Sequence, residues 1–499
     1  MKVILCNSAG VIQDYSEPGP YRVDSYLNTK GYISSVYDLR LKINQKIRPL
    51  LFSYLTKVNS LSNVNSLLSN PFIENELWLL LQRSLFYFCI KNNLSAGDNL
   101  NFYDEDLKKV IEKIIISEIE IFIEFIIKER PDIIGFFVFP RIITGFNSDQ
   151  MDYLMSEYLI VSYIARRIRY FSNKIIFGYT QIKLSSYDFI SSCMLETKSE
   201  LDLWITGNPE KTVEDLILAI IHKKSIKKIS DSQYIDHINK TVIINKGKKE
   251  KHFIYTTPVY PLQIISEYKR MIPSLKMLVE GSSGCSLTCK FCHRSKNSEK
   301  YLIRSTTETV NEILTCQNNY GVNRIRLYDN IINGDIKRFK TFCIKLIKSG
   351  FNGEIEGYMA LCKGMTKDII KLASSAGIKN VRLSIESGSN RILKMMGKDI
   401  TSEKSEQLLR TCSDSGMKIT AAFMTDYPGE TEKDFIKTLE FIRRNNHCIN
   451  GYTLSSFIPD ENFAKIHGLN IEALKENISK NNRLIQLWNF VEDLRKNIQ

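Results

Sequence analysis

The sequence predicts an α/β protein: a doubly wound, Rossmann-like N-terminal domain with a helical insertion, followed by a partial (β/α)6 barrel of the TIM type. Three observations carry this. Short runs rich in Ile, Val and Phe alternate with amphipathic segments over the first 220 or so residues. Six further strand–helix alternations run from Lys276 to about Ile458. At 499 residues the chain is too long for a single core. Continuous apolar runs mark strands buried on both faces, and the helices between them supply the covers.

In the first domain, strands are expected at Val3–Asn7, Tyr32–Asp38, Ile133–Val138, Lys174–Gly178 and Asp202–Thr206. Between Leu41 and Glu129 the pattern is helical throughout and reads as an insertion. Its greasiest run, Glu112–Ile127, carries Glu112, Lys113, Glu118, Glu120 and Glu124, so it predicts an amphipathic helix and not a membrane span. The opening MKVILCNSAG is too short an apolar stretch for a secretory leader and reads as a first buried strand; a cytoplasmic protein is expected. A polar connector with a small hairpin at DHINKTVIIN follows, and Pro258 and Pro261 end it. The expected divisions are 1–222, a linker over 223–270, the barrel over 271–460 and a helical tail over 461–499. Ser305-x-x-Glu308 and Thr431-x-x-Asp434 each predict a capped helix start.

The net charge of +13 invites a nucleic-acid reading. Much of it is local: nine lysines against three acids lie between His222 and His252. No aromatic residues interleave with them as a single-strand binder requires, so that stretch reads as a solvated connector. Eleven cysteines without a secretory leader predict thiols, not a disulfide framework.

Three of those thiols are clustered in GSSGCSLTCKFCHRS, as Cys285-x-x-x-Cys289-x-x-Cys292. Three thiolates on one short loop can hold three irons of a [4Fe–4S] cube and leave the fourth iron open. Gly281 and Gly284 let the backbone curl closely. The competing reading is a Cys₃His zinc site completed by His293, which the adjacency of Cys292 and His293 strains.

The spacing, with Phe291 just before the last cysteine, resembles the radical S-adenosylmethionine superfamily, over roughly Leu275 to Ile458. The resemblance implies metal ligands Cys285, Cys289 and Cys292, with S-adenosylmethionine bound at the open iron. An electron from an external donor then cleaves it to methionine and a 5′-deoxyadenosyl radical, which abstracts hydrogen from a small-molecule or peptide substrate. Further cofactor-binding positions follow from it. Tyr328 and Asp329 stand where a loop receives the methionine amino group. Ser384-Ile385-Glu386-Ser387-Gly388-Ser389, with Arg391 and Lys398, resembles the motif facing ribose and carboxylate. Tyr427-Pro428-Gly429-Glu430-Thr431 stands beside adenine, where Met359, Met424 and Phe457 could pack; plain barrel core is the competing reading of those three.

The N-terminal domain resembles the cobalamin-binding domain of one large branch of that superfamily. Asp132-Ile133-Ile134-Gly135 and Gly207-Asn208-Pro209-Glu210-Lys211-Thr212 are the landmarks. The resemblance implies a corrinoid at the carboxyl edge of the sheet and cobalamin-dependent C-methylation of a natural product or peptide. No Asp-x-His-x-x-Gly supplies a lower axial ligand, and Gly178-Tyr179-Thr180 stands where paired glycines are usual. Two alternatives stay open. One is cobalamin-independent epimerisation or cyclisation, with Cys362, Cys412 and Cys448 as candidate hydrogen donors. The other is a non-enzymatic iron–sulfur sensor.

Overall fold

The computed structural model describes residues 1–8, 18–58, 105–138, 151–180, 194, 200–247, 252–292, 300–362, 364–459, 470–472 and 482–496. The middle of the expected insertion (59–104), His293, and all of the tail except 470–472 and 482–496 lie outside them. The chain divides into two compact units, Met1–Lys248 with Ile254–Leu275, and Lys249–Phe253 with Lys276–Gln499.

The first unit is built on β1 (Lys2–Asn7), β2 (Ile33–Asp38), β3 (Ile133–Val138), β4 (Ile175–Thr180), β5 (Leu203–Ile205), β6 (Ser232–Asp236) and β7 (Thr241–Asn245). They form one sheet in the order β2-β1-β3-β4-β5-β6-β7. The first five strands are parallel, and β6 and β7 add antiparallel at the edge. The hairpin expected in the connector is therefore part of this sheet, because the short β5 exposes backbone groups that β6 pairs.

Strand residues alternate between two cores, as the period of two requires. On one face Ile4, Cys6, Ile134, Phe136 and Val138 pack under α2 (Leu39–Val58), α3 (Glu105–Glu129) and α4 (Met151–Phe171). On the other, Val3, Leu5, Ile133 and Phe137 pack under α1 (Gly19–Thr29) and α5 (Pro209–Ile221). The Glu112–Ile127 run lies within α3 and turns Ile115, Ile119, Phe122, Ile123 and Ile126 inward. No helix among the described residues is long and apolar enough to cross a membrane.

Asp38, at the end of β2, is a buried junction. It accepts from Asn7 Nδ2 (3.0 Å), the Tyr21 hydroxyl (3.1 Å), the Leu41 amide (3.0 Å) and the hydroxyl of Tyr268 (2.8 Å) in α6 (Leu262–Met271). Four donors satisfy a carboxylate removed from water, and they return the connector to the strand ends.

The second unit is a six-stranded parallel sheet in the order β15-β14-β13-β12-β11-β8. Its strands are β8 (Met277–Val279), β11 (Arg324–Leu327), β12 (Glu354–Met359), β13 (Ile378–Glu386), β14 (Lys418–Thr425) and β15 (Gly451–Ser456). A small antiparallel pair, β9 (Ser282–Ser283) with β10 (Leu302–Ile303), joins the stem of the cysteine loop. The helices are α7 (Thr306–Asn318), α8 (Ile336–Lys348), α9 (Lys367–Ser375), α10 (Asn390–Met395), α11 (Ser402–Asp414), α12 (Glu432–Asn445) and, near the C-terminus, α13 (Arg483–Lys496).

The two expected caps behave differently. Thr431 and Asp434 form a reciprocal capping box at α12. Ser305 occupies the N-cap of α7 without a side-chain bond, and Glu308 instead lies 3.9 Å from Arg304.

Gly135 in β3 stands opposite Phe177 in β4. A Cβ there would lie 2.2 Å from the Phe177 ring, so the glycine is what lets that ring cross the sheet. Gly135→Ala is expected to destabilise the protein by about 1–3 kcal/mol through overpacking. Thermal unfolding should show the loss, and Phe177→Leu in the same chain should recover part of it.

Candidate functional site at the barrel mouth

In a parallel barrel, ligands gather where the strands end at their carboxyl side, because the connecting loops converge there. The loop after β8 carries Cys285, Cys289 and Cys292. Its stem is closed by β9–β10 and by the Arg304 amide on the Gly281 carbonyl (2.9 Å). Gly284 turns it at φ 75°.

The loop is held from two sides. On one, the segment after β11 clamps it. The Asp329 carboxylate accepts from the Gly281 amide (2.9 Å) and from the Ser282 hydroxyl. Asn330 Nδ2 donates to the Gly284 carbonyl (2.7 Å), and Ser286 Oγ donates to the Gly334 carbonyl (2.8 Å). Asn333 extends the clamp to the end of β12 through two bonds with Ala360 (2.8 and 2.9 Å). On the other side, the Lys290 amide donates to the Met396 carbonyl (2.9 Å), just after α10.

Around the middle thiol the polar groups of the β13 end assemble. Lys398 Nζ donates to the Ser384 carbonyl (3.0 Å), pairs with Glu386 (3.4 Å) and lies 5.8 Å from the centre of the Phe291 ring. Burial pushes the Cys289 thiol up; the Lys398 cation opposes that shift, while Cys292, Glu386 and Cys285 add to it. The three thiols, Lys398 and Glu386 are thus electrostatic neighbours. Among the described residues, no three His, Cys, Asp or Glu side chains converge on a single ion. A cube whose three thiolate-bound irons are separate asks for no such convergence.

Register sorts the remaining expected residues. Arg326 stands beside Glu356, Tyr358 beside Arg382, and Ser384 beside Ala422, so these share one face of the sheet. The opposite face, with Leu383, Ala421 and Phe423, is buried, and Phe423 meets Phe441 of α12. Ser384 is therefore on the concave face. A register shift between Ser384 and Glu386 re-aims the glutamate, whose φ is 73°. Met424 stands beside Ser455 on the concave face and packs with Phe291, Tyr427 and Phe457.

Four expected roles change with position. Met359 is paired with Leu383 on the helix-facing side and is fully buried there, so it packs as core and not on adenine. Asp329 is buried and spends its carboxylate on the cysteine loop; burial raises its pKa, and the bonds from Ser282 and Gly281 and the charge of Arg338 counter this. Cys412 is buried on α11, which packs on β14, and burial pushes its thiol up to about 12. Cys448 sits in the short helical turn that precedes β15, at the opposite end of the strands from the cysteine loop. Of the three donor candidates, Cys362 alone follows a strand end, after β12. Tyr328 is exposed at the end of β11.

Arg391 binds Asp434 (Nε to Oδ2, 3.2 Å) and the Gly429 carbonyl (2.6 Å). Although burial acts to raise it, the Asp434 carboxyl is held well below its usual range by Arg391, Ser389 and Thr431. Arg391 is thus a brace between the turns after β13 and β14.

Sequence reasoning missed two groups. The first is Glu356, on the concave face, ringed by Lys276 (2.6 Å), Arg326 (3.6 Å) and Arg382 (3.6 Å). The period-two placement of charges in strands otherwise apolar was the available signal. The second is Asp426, which directly follows β14 at φ 62° and accepts from Thr425 (2.8 Å) and Ser456 (2.8 Å). Its amide donates to Glu430 (2.7 Å), and Arg483 of α13 reaches the Glu430 carbonyl (3.2 Å) and carboxylate (3.5 Å).

The site is thus a cysteine loop at the mouth of a partial parallel barrel, beside the end of β13 with Ser384 and Glu386 and the nearby Lys398. Residues 279–442 match the model of the Radical SAM superfamily. The chain is 22% identical over 275 residues to an uncharacterized methyltransferase of Pyrococcus horikoshii, covering 52% of this chain and 56% of that protein. It is 28% identical over 212 residues to a putative methylthiotransferase of Methanocaldococcus jannaschii, covering 40% and 46%. The chain spans about half the length of these curated relatives. Its fold is shared with the cobalamin-dependent S-adenosylmethionine radical enzyme OxsB (TM-score 0.60, 18% identity, 97% of this chain and 56% of that one). It is shared as well with the radical S-adenosylmethionine methyltransferase TsrM of Kitasatospora setae (TM-score 0.57, 13% identity, 91% and 72%).

Two outcomes are expected. Asn330→Ala should cost about 1 kcal/mol in stability, yet accelerate labelling of the loop thiols by an alkylating reagent several-fold in metal-free protein. Glu430 has its carboxyl raised from 4.5 to about 7, burial being the main cause, with Arg483 opposing it. A folded-state pKa above the unfolded value gives stability that is complete below about 4.5 and is lost as pH rises through 7. Melting temperature should therefore fall across that window, and Glu430→Gln should flatten the dependence.

Proposed function

We propose that this chain is a radical S-adenosylmethionine enzyme that holds a [4Fe–4S] cluster on Cys285, Cys289 and Cys292 and, with cobalamin, methylates an unactivated carbon of a small molecule or peptide. The observation that carries this reading is the cysteine loop fixed at the barrel mouth with Lys398, Glu386 and Phe291 around Cys289. When bound, the cluster supplies the electron that cleaves S-adenosylmethionine to a 5′-deoxyadenosyl radical, and the corrinoid supplies a methyl carrier.

The chain's own residues position and shield. Ser384 and Glu386 offer polar groups to ribose and carboxylate, and Lys398 fixes both through its bonds. Phe291, Met424, Tyr427 and Phe457 form an apolar wall suited to a flat purine ring. Arg391 acts at one remove, by bracing the turns that carry those groups. Tyr328 stands at the rim.

Support for a corrinoid comes from the first unit. Its doubly wound sheet has a switch point between β1 and β3, where such folds take ligands at the carboxyl edge. At the end of β1, the buried Asn7 Oδ1 has no hydrogen-bond partner among the described residues. Tyr179 is buried in the core beside Phe137 (ring centroids 5.2 Å apart), so its ring packs inward. The likeness in fold to two cobalamin-type radical enzymes supports the same reading. None of the nine described cysteines is joined in a disulfide, which suits a reducing, cytoplasmic setting.

One observation favours a second reading. Cys362 lies half-buried just past β12, which suits hydrogen donation in a cobalamin-independent reaction.

A single experiment separates these. Anaerobically reconstituted protein with dithionite should form 5′-deoxyadenosine, and Cys292→Ala should reduce it to background. Bound hydroxocobalamin with a methylated product supports the preferred reading. Failure to bind the corrinoid, together with a Cys362→Ala variant that stalls after hydrogen abstraction, would move the assignment to the second.

A further inference from the structure

The helix α8, which follows the clamp on the cysteine loop, divides sharply by face. Phe339, Phe342, Cys343 and Leu346 are buried against the barrel. The outward stripe consists of Lys337, Lys340, Thr341, Ile344, Ile347 and Lys348. Residues 336–348 hold five cations, Lys337, Arg338, Lys340, Lys345 and Lys348, and no anion.

Two of these cations are engaged. Arg338 donates to the carbonyls of Gly281 (2.7 Å) and Arg304 (3.2 Å), and Lys345 donates to Thr307 (2.5 Å). Lys337, Lys340 and Lys348 make no ion pair or hydrogen bond among the described residues, so their charge faces solvent uncompensated. Between them Ile344 and Ile347 stay 40% and 45% exposed. Apolar contact flanked by charges of one sign is the makeup of a surface for a transient, oppositely charged partner. The first turn of α8 is also fastened to the cysteine loop. Asp335 caps it, Arg338 grips Gly281, and Ser286, the neighbour of Cys285, is bonded to Gly334.

We propose that the outer face of α8 docks an acidic electron-carrier protein, which gives one electron to the cluster and is itself oxidised by one. This rests on the cluster reading given above, since the proposed reaction needs an electron from outside and the helix is a basic element bonded to the cluster loop. Lysines 337, 340 and 348 steer and align the carrier, and the two isoleucines supply the short-lived dry contact.

The test uses the full-length reconstituted protein and photoreduced flavodoxin, an acidic flavoprotein, with cluster reduction followed by stopped flow. In the K337E/K340E/K348E variant the flavodoxin-driven rate at low salt should fall by about tenfold or more. The rate of the unsubstituted protein should drop as salt is raised, while that of the variant should stay flat. Dithionite, a small reductant that needs no docking surface, should reduce both alike and support equal 5′-deoxyadenosine formation. A control with the same change of net charge, K223E/K224E/K227E on the exposed connector before β6, should keep most of the flavodoxin rate. Equal flavodoxin rates in the α8 variant and the unsubstituted protein overturn the proposal. So does an equal loss in the control, which would mean only overall charge matters. No cluster, or no 5′-deoxyadenosine with dithionite in the unsubstituted protein, removes the cluster reading and this proposal with it.

Discussion

The hydrogen bonding of one buried carboxylate governs the geometry of the barrel mouth. A charge withdrawn from water is tolerated only where donors replace its hydration. For Asp329 those donors are the Gly281 amide and the Ser282 hydroxyl, at the root of the cysteine loop. Any excursion of that root would leave the buried carboxylate short of donors. With Asn330 on Gly284 and Ser286 on Gly334, the loop that carries the three thiols is held by backbone-directed bonds. Lys398 then meets Cys289 at a fixed place, and Glu386 is fixed by Lys398.

Below the mouth, the concave face is polar where the outer face is greasy. One anion, Glu356, gathers cations from β11 and β13 and from Lys276 just ahead of β8, so charge joins the inner surface of neighbouring strands while hydrophobic packing joins the outer surface to the helices. A network of this kind is costly to leave half satisfied. It gives the strands a reason to keep a single register, and register decides that Ser384 and Met424 face inward while Met359 does not.

Much of this was legible in the residues. The long apolar strands and the inward Ser384 rest on local period, which the fold preserves, whereas the register shift after Ser384 breaks the period that would have paired Glu386 with it. What escaped depends on partners distant in the chain. Asp329 looks like a free acceptor until Gly281 and Ser282 arrive from 48 and 47 residues away. Ser305 has the letters of a capping box, but Glu308 leans toward Arg304 instead. The connector hairpin reads as isolated because nothing local says that β5 has an open edge. Cys412 and Cys448 cannot be told from Cys362 by sequence, since only the direction of the strands reveals which end each occupies.

Glu386 ends β13 and Asp426 directly follows the neighbouring β14, and both adopt a left-handed backbone that most side chains avoid. Aspartate, asparagine and glycine enter that region with least penalty, and β-branched residues are nearly barred from it. The repertoire open to these two rim positions is therefore narrowed by torsion before chemistry is consulted. A lineage adapting this scaffold to a new substrate would find its freedom in the loops beyond the rim, with the rim itself inherited almost as fixed hardware.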